Sequence, residues 1–326
     1  MKVLLVRLSS MGDLIHTLPA VTDLAQAEPD IELHWLCEES FADIARLHPF
    51  VRNVHTLRWR AWRKNLGSME TWRALWHLKE TLMRERYDFV LDSQGLFKSA
   101  LFAKLANAPL MGLDRQSARE SWVSAAYNRT FFVRKGQDAV LRNRLLFAQV
   151  FDYALPPRLA FGAEVPPVVE NPARHRPYYV ALHASSRDSK LWRQDYWREL
   201  LVRLNARDGA AVYLPWGSEG ERQRAEAIAH GLPFAHLCPR LSLMEAAALL
   251  QSARGVAGVD TGLLHLANAL NVPLVGIYTD TDPQKTGVQQ SVLAGNVGGV
   301  GQMPEPEAVY RALLRHMAAA DVVEAV

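Results

Sequence analysis

Short apolar runs alternate along the chain with stretches in which apolar residues recur every three or four positions. The first pattern predicts buried strands and the second predicts amphipathic helices. In the first half, strands are predicted at 2–8, 32–36 and 89–92, and helices at 14–26, 69–86, 98–106 and 139–151.

A proline-rich stretch from Leu155 to Pro177 interrupts the pattern and indicates a linker. The pattern then restarts. Strands are predicted at 178–183, 211–215, 255–259 and 273–278, and helices at 195–205, 219–229, 243–251, 262–270 and 305–320.

Strand–helix alternation on both sides of a linker predicts an α/β fold class with two doubly wound domains. The domains are expected at 1–160 and 178–302, joined by the linker 161–177 and followed by a terminal helical segment, 303–326. In such sheets ligands bind beyond the carboxyl ends of the strands. We therefore expect the site in a cleft between the two sheets.

The composition is that of an ordinary soluble protein, with 49% hydrophobic and 22% charged residues. No apolar run approaches the roughly 18 residues that span a bilayer. Cys37 and Cys238 form no metal-binding pattern and fit a reducing compartment. Residues 1–160 carry 22 basic against 17 acidic side chains, and the remainder carries 15 against 17. This asymmetry favours an anionic partner for the first half.

The turn after the first strand contains small residues, a glycine and Asp13, and a helix follows it. Asp13 is therefore expected at the mouth of the sheet. It is either a helix cap or a general base that deprotonates an acceptor hydroxyl during transfer from an activated sugar.

Three strand ends in the second half are candidates for an anion site. Gly262 begins a helix after strand 255–259, where free N–H groups and the helix dipole favour a phosphate. Asp260 would hold that loop or a sugar hydroxyl, and His265 is either a phosphate donor or an ordinary helix residue. The loop 183–192 adds hydroxyls and cations, and Pro215-Trp216-Gly217 marks the third strand end. Each feature alone also fits a structural turn or a solvated loop.

Six segments together resemble the lipopolysaccharide heptosyltransferases, and among them the type I enzymes. They are 6–13, 92–96, 117–120, 183–192, 215–217 and 259–265. The resemblance implies a GT-B fold of two Rossmann-like domains facing across a cleft. It implies an ADP-heptose donor and inverting transfer to the Kdo of Kdo2-lipid A, without a metal or other cofactor. It also implies a cytoplasmic enzyme, peripheral on the inner membrane, whose terminal helix packs back on the first domain.

The resemblance further implies residue roles. Asp13 would be the catalytic base. The donor would contact Ser185, Ser186, Arg187, Lys190, Glu221, Leu241, Asp260, Thr261, Gly262, Leu263 and His265. The acidic acceptor would meet Arg60, Arg63, Lys64, Gln94 and Arg119. Ser185 and Ser186 stand where the family often has two threonines, and Leu241 stands where some relatives have methionine.

Tryptophan and basic residues interleave in the segment 58–76. This composition suits an anionic membrane surface, and it also fits core tryptophans with solvated arginines. A nucleic-acid interface is disfavoured because no binding motif accompanies the segment and the net charge is small. Asp280-Thr281-Asp282 has the pattern of metal-dependent glycosyltransferases, but the following proline favours a turn.

Three other functions remain as alternatives. A type II heptosyltransferase would extend an already heptosylated core. A non-catalytic nucleotide-sugar binding protein would bind ADP without transfer. A nicotinamide dehydrogenase is disfavoured because the chain lacks a G-x-G-x-x-G fingerprint after a strand.

Overall fold

The computed structural model describes residues 1–324, with side chains described through Val322. The chain forms two compact units, Met1–Glu164 and Val165–Val326, which divide inside the stretch expected as a linker. Each unit contains one six-stranded sheet whose strands all run parallel.

The strands of the first unit are β1 (Lys2–Val6), β2 (Glu32–Glu38), β3 (Val51–Leu57), β4 (Phe89–Asp92), β5 (Leu110–Leu113) and β6 (Arg129–Phe131). Those of the second unit are β7 (Tyr178–Leu182), β8 (Ala211–Leu214), β9 (Ala235–Leu237), β10 (Gly255–Val259), β11 (Leu274–Tyr278) and β12 (Ala294–Gly298).

The helices of the first unit are α1 (Met11–Ile15), α2 (Leu18–Ala27), α3 (Ala42–Arg46), α4 (Trp59–Trp62), α5 (Met69–Arg84), α6 (Phe97–Ala103) and α7 (Ala139–Phe151). Those of the second unit are α8 (Gln194–Asp208), α9 (Glu219–Ala229), α10 (Leu243–Gln251), α11 (Gly262–Ala269), α12 (Pro283–Thr286) and α13 (Pro306–Glu324).

Both sheets have the same strand order. The first runs β3-β2-β1-β4-β5-β6, and the second runs β9-β8-β7-β10-β11-β12. The order reverses between β1 and β4 in one sheet and between β7 and β10 in the other, and loops diverge at such a point to leave a binding crevice. The prediction of two Rossmann-like, doubly wound sheets is confirmed.

The central strands are buried along their whole length, as expected for a parallel sheet that is covered on both faces. Five strands were not predicted from the sequence: β3, β5, β6, β9 and β12. The predicted helix 14–26 is divided into α1 and α2, and Pro19 occupies the first turn of α2.

The terminal helix α13 packs within the second unit, and its expected contact with the first domain stays a prediction. Its stripe of Val309, Ala312, Leu313 and Met317 joins the core of the second unit. A Cβ at Gly255 in β10 would lie 3.2 Å from both Leu313 and Met317, so glycine permits this close approach. Within the described residues, no helix is both long and apolar enough to cross a bilayer.

Candidate functional site

Asp13 lies in α1, just beyond the carboxyl end of β1. The backbone N–H and the hydroxyl of Ser10 donate to Asp13 Oδ2 at 2.8 and 3.1 Å. Arg7 Nη2 lies 3.3 Å from Asp13 Oδ1. The carboxylate thus caps the helix start, and because its side chain remains 34% exposed it is also accessible to a substrate.

The environment of Asp13 keeps it ionised. Burial alone raises the pKa of Asp13, but the Arg7 guanidinium and the hydrogen bonds from Ser10 favour the charged form more strongly. The pKa of Asp13 therefore lies below its ordinary value. At neutral pH the group is a carboxylate, which is the form that a general base requires.

A strongly basic pocket of about 440 Å³ opens beside Asp13, and its lining includes Arg7, Arg119, Lys135 and Arg142. The Nε atoms of Arg7 and Arg142 are buried without a hydrogen-bond partner in the described part of the chain. Buried N–H groups rarely remain unpaired. The pocket therefore suits an anionic ligand with several acceptor oxygens.

Gln94 lines this pocket, but its amide is occupied by the loop that carries Asp13. Its Oε1 accepts from the Leu8 backbone N–H at 2.8 Å, and its Nε2 donates to the Ser9 carbonyl at 3.1 Å. Lys98 Nζ donates to the Ser9 hydroxyl at 2.8 Å. In this structure Gln94 thus positions the β1–α1 loop.

The three other cations expected at the acceptor lie on and after α4. The Arg60 guanidinium lies 5.2 Å from the centre of the Phe41 ring, and Arg63 and Lys64 are exposed. Burial lowers the pKa of Lys98, and the charges of Arg60 and Arg63 lower it further, so both lie within electrostatic range of the β1–α1 loop. None of the three is among the described residues that line the Asp13 pocket.

In the second unit, Asp260 connects three loops at the carboxyl edge of the sheet. Its Oδ2 lies 2.7 Å from Lys190 Nζ and accepts from the Thr281 hydroxyl at 2.8 Å. Its carbonyl accepts from the Ser185 hydroxyl at 2.7 Å. His265 Nε2 lies 3.9 Å from the other carboxylate oxygen. The loops after β7, β10 and β11 are thereby fixed to one another.

Helix α11 starts immediately after this aspartate. Thr261 is its N-cap, and Gly262 and Leu263 form the first turn, whose N–H groups have no preceding turn to bond to. The partial positive charge of these groups lies in the same loop set as Lys190. This set can therefore bind a phosphate.

The remaining predicted donor residues have different surroundings. Ser186 and Arg187 are exposed on the loop after β7, and Leu241 is half-buried before α10. Glu221 Oε2 accepts from the Gly217 N–H at 2.7 Å, which fixes the turn after β8. In the D-x-D segment Asp282 caps α12 by accepting from Gln284 N–H at 3.0 Å, as expected for a turn.

Sequence reasoning missed several arginines. The sequence contained a signal for Arg7, because this residue directly follows β1 and lies shortly before Asp13. Arg142 lies on α7, far from Asp13 in sequence, and no local pattern points to it. Arg224 on α9 donates to the carbonyls of His183 and Trp192 and so braces both ends of the loop after β7.

A carboxylate among cations at the switch point of one Rossmann-like sheet, and a phosphate-type loop set at that of the other, define a GT-B glycosyltransferase. The family model described as "Glycosyltransferase family 9 (heptosyltransferase)" matches residues 75–316. The chain belongs to this family.

Individual relatives agree with this assignment. "Lipopolysaccharide heptosyltransferase 1" of Pseudomonas aeruginosa is 46% identical over 295 residues, covering 88% of this chain and 81% of that protein. The structure "E. coli heptosyltransferase WaaC with ADP" matches with a TM-score of 0.88 and 36% identity, over 97% of this chain and all of the other. The same enzyme "with ADP-2-deoxy-2-fluoro heptose" has a TM-score of 0.83, 35% identity and full coverage of both chains. The resemblance seen in the sequence is confirmed.

Proposed function

We propose that the chain transfers a heptose from ADP-heptose to the Kdo of Kdo2-lipid A in the lipopolysaccharide inner core. The observation that carries the proposal is the ionised Asp13 beside a pocket lined by cations. The test is a panel of nucleotide sugars and acceptors, with each product identified by mass. Turnover of ADP-heptose with Kdo2-lipid A is expected, and transfer confined to another pair would overturn the proposal.

Asp13 acts as the base in this reaction. It removes the proton from the acceptor hydroxyl while that oxygen forms a bond to the anomeric carbon of heptose. The bond from this carbon to the diphosphate oxygen breaks, and ADP leaves with the electron pair. Attack opposite the leaving group inverts the anomeric configuration. One carboxylate suffices because a nucleoside diphosphate leaves readily when its charge is stabilised.

The second unit supplies that stabilisation. Lys190, the exposed Arg187 and the first N–H groups of α11 act on the developing diphosphate charge. We therefore propose that catalysis needs no metal. Added magnesium or manganese should not raise turnover, whereas a loss in excess chelator that magnesium or manganese restores would contradict this step.

The negative charge of the acceptor is complementary to the arginines of the first unit. Kdo carries a carboxylate, and the unpaired Nε atoms of Arg7 and Arg142 provide donors for carboxylate oxygens. An already heptosylated acceptor serves as the comparison in the panel, because preference for it would indicate type II activity.

An apolar groove on the first unit supports contact with an anionic membrane surface. It has a volume of about 750 Å³, and its lining includes Met69, Trp72 and Trp76, which are 71%, 60% and 62% exposed. Arg73 and Lys79 lie among its lining residues. Exposed tryptophans with neighbouring cations suit the headgroup region of an anionic bilayer. We accordingly propose a peripheral protein at the cytoplasmic face of the inner membrane.

Sedimentation with vesicles tests this surface. Wild type should sediment with vesicles rich in phosphatidylglycerol and remain free with pure phosphatidylcholine. The double variant Trp72→Ser/Trp76→Ser should lose most of this binding. Val202→Ser, at an exposed apolar position of the second unit, is the control and should bind like wild type. Equal vesicle binding by all three proteins would exclude the groove as the membrane-binding surface.

A further inference from the structure

Four donor side chains meet inside the first unit, away from the loop of Asp13. His34 lies in β2, His55 in β3, and Glu85 and Tyr87 lie between α5 and β4. His34 Nδ1 is 3.3 Å from His55 Nε2, and the Tyr87 hydroxyl is 2.9 Å from both nitrogens. Glu85 Oε2 is 4.0 Å from His34 Nδ1. Donor atoms of the two histidines and Glu85 all lie within 4.8 Å of one another.

This spacing matches the ligand shell of a small divalent transition metal. In a tetrahedral zinc site with bonds of roughly 2.0–2.1 Å, ligand atoms are about 3.3 Å apart. The two imidazole nitrogens already have that separation. Glu85, whose side chain is 25% exposed, supplies the third ligand, and the Tyr87 hydroxyl lies beside both nitrogens.

A second carboxylate orients the first histidine. His34 Nε2 lies 3.0 Å from Glu32 Oε1, so the proton on Nε2 donates to Glu32 and the lone pair on Nδ1 faces the cluster. Histidine ligands of metals usually donate their other N–H to a carboxylate in this way. An ordinary pair of packed histidines does not require that arrangement.

The cluster is also reachable from solvent. His55 lines a pocket of about 580 Å³ whose other lining residues include the exposed Asn65 and Glu70, which provides a route for an ion.

One cation is already held at the edge of the cluster. Lys2 Nζ lies 2.8 Å from Glu85 Oε2 and 3.1 Å from Glu32 Oε1. Two carboxylates share this one ammonium group, so the three charged side chains together carry net negative charge. The Lys2 side chain is 25% exposed, so it can turn to solvent when a stronger cation binds.

We propose that His34, His55 and Glu85 form a binding site for a divalent transition-metal ion, for which zinc fits best. The ion would join β2 and β3 to the connection between α5 and β4. Asp13 lies beyond the carboxyl end of β1, whereas Glu85 and Tyr87 precede β4 at the amino end of the same sheet. The site therefore supports the fold of the first unit and takes no part in sugar transfer, and it does not rest on the proposed function.

The test uses the full chain, freed of metal, with zinc and cobalt as probes. Equilibrium dialysis should find one ion tightly bound per chain, and bound cobalt should give the visible absorption of a tetrahedral site. Zinc should also raise the melting temperature of the wild type. Absence of a tightly bound ion from the wild type would overturn the proposal whatever the variants do.

Matched variants locate the site. His34→Ala/His55→Ala should abolish the tight binding, and Glu32→Gln should weaken it roughly 10–100-fold through the orienting hydrogen bond. Lys2→Ala should strengthen it, because the competing ammonium is removed. The control is His175→Ala/His236→Ala, which removes a stacked histidine pair of the second unit and should bind like wild type. Unchanged affinity in the His34/His55 variant, or lost affinity in the control, would contradict the assignment.

Discussion

The two units share one strand order, yet the cations at their candidate sites differ in how completely they are paired. In the first unit, Arg7 is paired with Asp13 at 3.3 Å, but the buried Nε atoms of Arg7 and Arg142 have no hydrogen-bond partner in the described residues. In the second unit, Lys190 is paired with Asp260 at 2.7 Å, and both side chains are largely buried. The first site is thus prepared for an incoming anion, whereas the second holds its lysine in place through an internal partner. The same topology supports both because the loops at the switch point, and not the strands, carry the chemistry.

Asp13→Asn is the variant expected to have the largest effect. The amide keeps the size of the side chain but cannot accept the proton of the acceptor hydroxyl. Turnover should fall roughly 10²–10⁴-fold, the usual contribution of a general base. The affinity for ADP should stay unchanged, because the proposed donor residues all belong to the second unit.

Steady-state kinetics and calorimetric titration with ADP measure these two quantities. Asp43→Asn removes another carboxylate of the first unit that is paired with an arginine, and it should leave both unchanged. Near-normal turnover of Asp13→Asn would show that Asp13 is not the base. The proposal that the first unit supplies the base and the second binds the donor would then fail.

Lys190→Ala tests the second side of the comparison. It removes a cation proposed to contact the diphosphate and leaves Asp260 without its ion pair. A hydrogen bond to a charged group contributes about 1.5–3 kcal/mol, so the Kd for ADP should rise by roughly one to two orders of magnitude. Lys285→Ala, at an exposed lysine on α12, is the control. If ADP binds both variants equally well, Lys190 stabilises the loops through Asp260 and does not contact ADP.

The sequence predicted the central strands of both sheets well, because β4, β7 and β10 are fully buried apolar runs followed by turn residues. It missed β6 and β9, which have three residues each, and β12, whose Ala-Gly-Asn-Val-Gly sequence is weakly apolar. Such strands are recognisable only through the neighbours to which they hydrogen-bond. The polar first half of β3 conceals its pattern in the same way.

The candidate site shows a similar division. Asp13, Lys190 and Asp260 could be placed because each follows a recognisable strand. The contact of Gln94 with the backbone of Leu8 and Ser9 joins positions that are about 86 residues apart, and nothing local in the sequence reveals it. The packing of α13 within its own unit was not predicted for a related reason. Its apolar stripe is visible in the sequence, but the surface that covers it is not.

Arg7→Met tests the first side of the comparison, because it removes the cation that lies next to the Asp13 carboxylate. Burial would then act on Asp13 without the opposing charge of Arg7, and the pKa of Asp13 should rise. The acid limb of the kcat/KM profile should move to higher pH with it. Because the pKa is lowered in the folded wild type, ionised Asp13 stabilises the fold above its usual pKa, and this contribution is lost as the pH falls.

The position of the acid limb, rather than the absolute rate, is diagnostic, since Arg7 also lines the pocket beside Asp13. A carboxyl-carbon NMR titration of Asp13 gives the pKa directly. Arg46→Met removes the partner of Asp43 and should leave the Asp13 titration unchanged. An unmoved limb and titration in Arg7→Met would show that Arg7 does not set the ionisation of the base.

The smallest effect is expected from removing the hydroxyl of Ser185, which is compared with that of its neighbour Ser186. Ser185 donates to the Asp260 carbonyl at 2.7 Å, whereas Ser186 is exposed on the same loop. Ser185→Ala loses one neutral hydrogen bond of about 0.5–1.5 kcal/mol, so the Kd for ADP should rise roughly two- to tenfold as the loop loosens around Lys190. Ser186→Ala is its matched partner on the same loop. A larger loss in Ser186→Ala than in Ser185→Ala would mean that direct contact with the donor, rather than the internal bond to Asp260, organises this loop. The second site would then no longer differ from the first in being held together by its own internal bonds.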